Sequence, residues 1–122
     1  MDEPAYQRGL RFLLASQNAD GGWGGGNSCH YPGSDRPVGG FSSTIEETSV
    51  ALEGIISGGA TKDCADSIMV GVNWLCDAIQ QEHHHVSQPI GFYFARLWYH
   101  EKMYPLVFSL SALKRGLEFC QR

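Results

Sequence analysis

Basic residues are scarce in this 122-residue chain: Lys and Arg total nine against thirteen Asp and Glu, a formal charge of −4. A general nucleic-acid binder would carry a basic face, so no nucleic-acid partner is expected. Charge of either sign is thin, at 18% of residues, while apolar residues reach 43%. A chain of that composition has enough apolar surface to fold rather than remain disordered. No apolar run approaches the roughly 18 residues that would span a bilayer. The start, Met1-Asp2-Glu3-Pro4, has neither a basic n-region nor an apolar h-region, so no secretory signal is expected there. Cysteine is confined to Cys29, Cys64, Cys76 and Cys120, with no C-x-x-C. That scatter fits neither a zinc module nor a small disulfide scaffold. The expectation is reduced thiols in a cytoplasmic protein, with Cys76 and Cys120 as small core residues on helices. Sustained two-residue alternation is missing as well, which argues against a β-fold.

What is present is helical spacing. Tyr6, Leu10, Leu13, Leu14 and Gln17 form one stripe. Asn18 to Phe41 reads as a long loop, and eight of the fifteen glycines fall between Gly21 and Gly40. Loops of more than about 20 residues in a small domain usually serve a function or pack on a missing neighbour. Ser43 to Glu46, or Thr44 to Glu47 in the alternative register, has capping-box spacing. It opens a second helix with Ile45, Thr48, Ser49, Leu52, Ile55 and Ile56 on one face, and Gly58-Gly59 is expected to end it in a left-handed conformation. A third helix from near Asp63 carries Ala65, Ile68, Met69, Val72, Leu75, Cys76 and Ile79. Gln80 to Gln88 is polar, and Phe92 to Tyr99 reads equally as helix or extended loop. Pro105 suits the first turn of a last helix bearing Leu106, Leu110, Leu113, Leu117 and Cys120. The expected fold is one all-α domain over residues 1–122, with about five helices.

A weak repeat runs through these helices. Arg8-Gly9-Leu10-Arg11-Phe12-Leu13 aligns with Val70-Gly71-Val72-Asn73-Trp74-Leu75 at a period of 62 residues, and Arg115-Gly116-Leu117-Glu118-Phe119 is a third echo. Periodic helix pairs imply a toroid or solenoid whose units cannot bury their faces alone.

Arg8, Gly9, Phe12, Gln17, Gly21, Gly22 and Trp23 together resemble the QW repeat of the triterpene cyclases, in which a basic residue and Gly precede an aromatic, Gln and then Gly-x-Trp. Ser42 to Leu52 is similar to the helix that follows this repeat in squalene–hopene cyclases. Pro89-Ile90-Gly91-Phe92-Tyr93 and Tyr104-Pro105-Leu106 resemble the closing segment of those enzymes. The resemblance covers about Arg8 to Arg115 and corresponds to the C-terminal part of a longer enzyme. It implies part of an α/α toroid, an incomplete α6/α6 barrel with a long Gly-rich loop after the first helix.

The motif has a physical logic. A Gln at the end of one helix can bond the free N–H groups that start another, and a Trp over that amide shields the bond from water. Gln17 and Trp23 would so clamp neighbouring helices, with Gly21 and Gly22 allowing the tight turn. In the second copy Gln80 lies one position late, and Glu82-His83-His84-His85 replaces Gly-x-Trp.

The resemblance also implies chemistry. Squalene–hopene cyclases protonate a terminal alkene with an Asp of a D-x-D-D motif. Asp2, Asp20, Asp35, Asp63, Asp66 and Asp77 form no such motif, so no catalytic residue is assigned, and the chain alone is expected to be inactive although its family are isomerases. The C-terminal part is implied to supply aromatic cavity wall, which stabilises carbocations by roughly 0.5–2 kcal/mol per ring. Phe92, Tyr93, Trp98 and Tyr99 are the candidates, and the alternative is that these rings simply pack helices. No cofactor is implied. The implied partner is a squalene-like polyprene in the full-length enzyme, which could sit peripherally on a membrane.

Other sites weigh less. Gly21 to Gly26 fails G-x-G-x-x-G because Asn27 occupies its last position, and the Lys-Ser/Thr of a P-loop is missing. His83 to His85, with Cys29 and His30, lack the spacing of a metal site, so no metal is expected. Cys29 and His30 are adjacent, a poor geometry for a nucleophile and base. The zinc-dependent protein prenyltransferase β-subunit shares the toroid, but Ser43 to Leu52 contains no Cys or His. The rival from another class is a non-catalytic α/α-repeat module that self-associates or binds a partner; on either reading the apolar faces of an incomplete toroid are expected to be covered in a homo-oligomer or by a missing N-terminal part.

Overall fold

The computed structural model describes residues 4–24, 43–58, 64–85, 90–92, 97–99 and 102–121. These form four α-helices: α1 (Ala5–Ala15), α2 (Ile45–Ser57), α3 (Ala65–Gln80) and α4 (Met103–Cys120). A 3-10 turn, His83–His85, follows α3. The chain enters it through Glu82, whose φ of 65° is left-handed. Two three-residue strands, β1 (Ile90–Phe92) and β2 (Leu97–Tyr99), pair antiparallel with Ile90 opposite Tyr99, Gly91 opposite Trp98 and Phe92 opposite Leu97. Of the segment open between helix and loop, Phe92 and Leu97–Tyr99 fall on a short ladder, and the remaining regular structure among the described residues is helical.

Local chemistry accounts for the start of α2. Thr44 is extended and its hydroxyl accepts from the Glu47 backbone N–H, while that hydroxyl donates to Glu47 Oε2 at 2.8 Å. The cap therefore uses the Thr44–Glu47 register, with Glu46 and Glu47 both in the first turn where the helix dipole favours them. At the other end Gly58 has φ −76°. Gly58 is therefore not the left-handed residue expected of the Gly58-Gly59 pair, and Gly59, the position after the cap, lies outside the described residues.

The core gathers around α2. Leu52, Ile55, Ile68 and Leu75 are fully buried, with Trp23, Ile45, Ile56 and Ala112 around them. Leu10, Leu13 and Leu14 of α1 pack against this cluster. Among the described residues hydrophobic periodicity finds each α-helix, but part of the expected face is exposed on three of them; on α1 it is Tyr6, 60% exposed. On α3 the buried residues are Ile68, Gly71, Leu75 and Ala78, whereas Met69 is exposed. The face is rotated because Gly71 permits a close approach that larger side chains would prevent.

The rotation is larger on α4. Its buried residues are Pro105, Ser109, Ala112 and Gly116, while Leu110 is 72% and Leu117 61% exposed and Leu106 is also exposed. The expected leucine stripe thus points outward, apart from half-buried Leu113. The reason is proximity: α4 packs chiefly on α2, and small residues at the crossing let two helices come closer than leucines would allow. The Ser111 hydroxyl donates to Glu53 Oε1 across that contact. Cys120 is exposed and Cys76 only half-buried, so neither is a core residue, and among the described cysteines Cys64 is the buried one.

Candidate functional site: a helix brace at Gln17 and Trp23

The turn after α1 is built from short polar side chains. Asn18 N–H donates to the Gly22 carbonyl at 2.8 Å, and Gly21 N–H to the Asn18 carbonyl at 2.9 Å. Asp20 Oδ1 accepts from Gly22 N–H at 3.0 Å and from the Ser43 hydroxyl at 2.6 Å. Asn18 Nδ2 donates to Ser43 Oγ and to the Gly24 carbonyl, both at 3.0 Å. Gly21 needs its lack of a side chain, since its φ is +101° and a Cβ would stand 2.6 Å from Val70 Cγ1.

This turn delivers Trp23 into the core at three points. Its indole N–H donates to the Leu13 carbonyl of α1 at 2.7 Å. Its backbone N–H donates to Thr48 Oγ1 at 2.8 Å, and its carbonyl accepts from Thr44 N–H at 3.0 Å, which ties it to the first turn of α2. Its ring lies over α3, where a Cβ on Gly71 would stand 2.8 Å from Trp23 Cζ3. Gln17 adds the fourth tie: Nε2 donates to the Gly21 carbonyl at 2.8 Å and to the Ser67 carbonyl of α3 at 3.0 Å.

Gln17 therefore reaches the beginning of α3, but with the opposite polarity to that expected. The amide donates to a helix carbonyl instead of accepting from free N–H groups. A helix carbonyl already bonded to its i+4 N–H keeps a second lone pair, and residue i+4 from Ser67 is Gly71, which puts no side chain over that oxygen. Gly21 and Gly22 are buried with Trp23. Arg8, Gly9 and Phe12 are on the exposed side of α1, and the structure does not bring them to the brace. Phe92, Trp98 and Tyr99 fall on the β1–β2 ladder, while Tyr93, Cys29 and His30 lie outside the described residues.

Sequence reasoning missed Ser67 and Gly71. An accepting carbonyl leaves no trace in residue type, but the coincidence of Gly71 with Gly9 in the repeat was a usable signal. Glu46, the acid of the Ser43–Glu46 capping-box register, is fully buried at the start of α2. The histidines do not converge: the His84 and His85 rings lie tilted against each other, centroids 4.1 Å apart. Among the described residues no group of three or more His, Cys, Asp or Glu is arranged to hold a metal. Nor, among them, is any helix long and apolar enough to cross a membrane.

Helices joined at their ends by a glutamine amide and a tryptophan indole define an α/α-repeat protein. The family model for the squalene-hopene cyclase C-terminal domain matches residues 1–118. The chain belongs to that family, and its helices are those of an all-α toroid fragment. No solved structure gives a significant match.

Proposed function

We propose that this chain is the C-terminal domain, spanning residues 1–122, of a class II terpene cyclase that cyclises squalene or a related linear polyprene by acid initiation. The family match over residues 1–118 carries this reading. The proton comes from a D-x-D-D acid elsewhere in the enzyme. This domain contributes barrel helices, stiffened by Gln17 and Trp23, and the aromatics Phe92, Tyr93, Trp98 and Tyr99 as cavity wall for carbocations. The enzyme works in the cytoplasm or peripherally on a membrane, where its apolar substrate resides.

The purified 122-residue chain has no cyclase activity on this reading. Incubation with squalene followed by product analysis tests it: unchanged squalene is expected, and hopanoid formation by the chain alone would refute it.

A second reading draws on the outward leucines of α4. Leu106, Leu110 and Leu117 are exposed, as in a non-catalytic repeat module that buries this face by self-association. Light scattering separates the two, since a monomer at high concentration counts against the module.

A further inference from the structure

Met69 and Cys120 belong to the apolar stripes expected of α3 and α4, yet both stand at the surface, and there they meet. The Cys120 thiol donates to Met69 Sδ at 3.5 Å. The contact is built by helices and not by a loop. Met69 lies in the second turn of α3, and Cys120 is the last residue of α4. One turn along each helix, a Cβ on Gly116 would stand 3.1 Å from Val72 Cγ2. The two helices therefore run antiparallel, and Gly116 lets α4 come close to α3. Phe119, packed against the core, holds the end of α4 beside Met69. Side chains carried on packed helices keep their relative positions better than side chains on loops.

We propose that Met69 and Cys120 form a binding site for a soft monovalent cation, Cu(I), at the junction of α3 and α4. A thiolate and a thioether are the donors that such a cation prefers. The thiol proton already lies on the line between the two sulfurs. It passes to solvent as the cation takes its place, so the pair stays neutral and nothing is oxidised or reduced. Two metal–sulfur bonds of about 2.3 Å at a tetrahedral angle separate the sulfurs by about 3.8 Å. The pair is 3.5 Å apart and needs to open only slightly. Because both residues are exposed, the cation reaches them from solution and completes its coordination there. Calcium and magnesium require oxygen donors, and zinc takes thiolate, imidazole or carboxylate, so a thioether favours neither. The expectation of no metal considers the spacing of His and Cys alone, which a thioether brought in by another helix escapes.

Anaerobic titration of Cu(I) into the reduced 122-residue chain, in competition with bathocuproine disulfonate, tests the site. The coloured chelate reports the metal that the protein does not hold. The unaltered chain is expected to retain one equivalent, and Cys120→Ser to release it. Met69→Leu keeps the thiol and the side-chain bulk but removes the second sulfur. It is expected to weaken retention by about 10-fold or more, the scale already set by losing an outer-shell partner. Both residues are exposed, so the metal-free variants are expected to melt as the unaltered chain does. A second measurement needs no variant: one equivalent of Cu(I) should protect Cys120 from iodoacetamide, read by peptide mass analysis. Equal retention in M69L would mark a thiol acting alone, and retention in C120S would place the metal on Cys29, Cys64 or Cys76. Either result, no retention by the unaltered chain, or an unprotected Cys120 overturns the proposal. No readout involves polyene cyclisation, so failure here is distinct from failure of the proposed activity.

Discussion

Trp23 ties three helices together, because one side chain and its peptide groups touch α1, α2 and α3. Its indole N–H bond to Leu13 is separable from its packing. Trp23→Phe keeps most of the buried ring and removes the donor, so it should cost about 1 kcal/mol, whereas Trp23→Ala should cost about 3–5 kcal/mol. Denaturant midpoints at unchanged m-value measure both. Gln17→Ala removes two charge-neutral hydrogen bonds and is expected to cost about 1–2 kcal/mol. Gly21→Ala fails for a different reason, the positive φ and the 2.6 Å approach to Val70, and should destabilise by more than 1 kcal/mol. Gln17 and Trp23 were legible because both carry the polar atoms that make the contacts. Ser67 was not, because its contribution is a backbone oxygen that any residue supplies.

The helices were located by their apolar spacing, and the errors there concern which way they face. On α4 the sequence shows a row of leucines, and the interior takes Ser109, Ala112 and Gly116 instead. Hydrophobicity alone cannot see that a close crossing with α2 selects for small volume over apolar area. Two substitutions turn this into a measurement. Ala112→Leu enlarges a side chain that is fully buried and should destabilise by about 1–3 kcal/mol. Leu110→Gln replaces a mostly exposed leucine and should change stability by no more than about 0.5 kcal/mol. The opposite ranking in chemical denaturation would show that the leucine stripe faces the core. At α2, Thr44→Ala removes the cap on Glu47 N–H and is expected to cost about 1 kcal/mol, read as a lower melting temperature. The β1–β2 ladder was invisible to periodicity because three residues a side are too few to show alternation.

At the scale of the whole molecule, the features that read as a self-sufficient domain and those that read as part of a ring belong to the same helices. The core around α2 is closed, while α1 and α4 each turn apolar side chains outward. The glycines divide likewise, Gly21 and Gly71 shaping contacts within the chain and Gly9 an open face. Membership of the squalene-hopene cyclase C-terminal family agrees with the division, since a repeat segment has one face for its own core and one for adjoining units. The most direct measurement is a chimera in which residues 1–118 replace the C-terminal domain of a squalene–hopene cyclase that retains its D-x-D-D acid. A folded chimera is expected to convert squalene to cyclised product, with Trp23→Ala lowering its thermal stability. A chimera that folds cooperatively and returns squalene unchanged would contradict the assignment of this chain to the cyclase cavity.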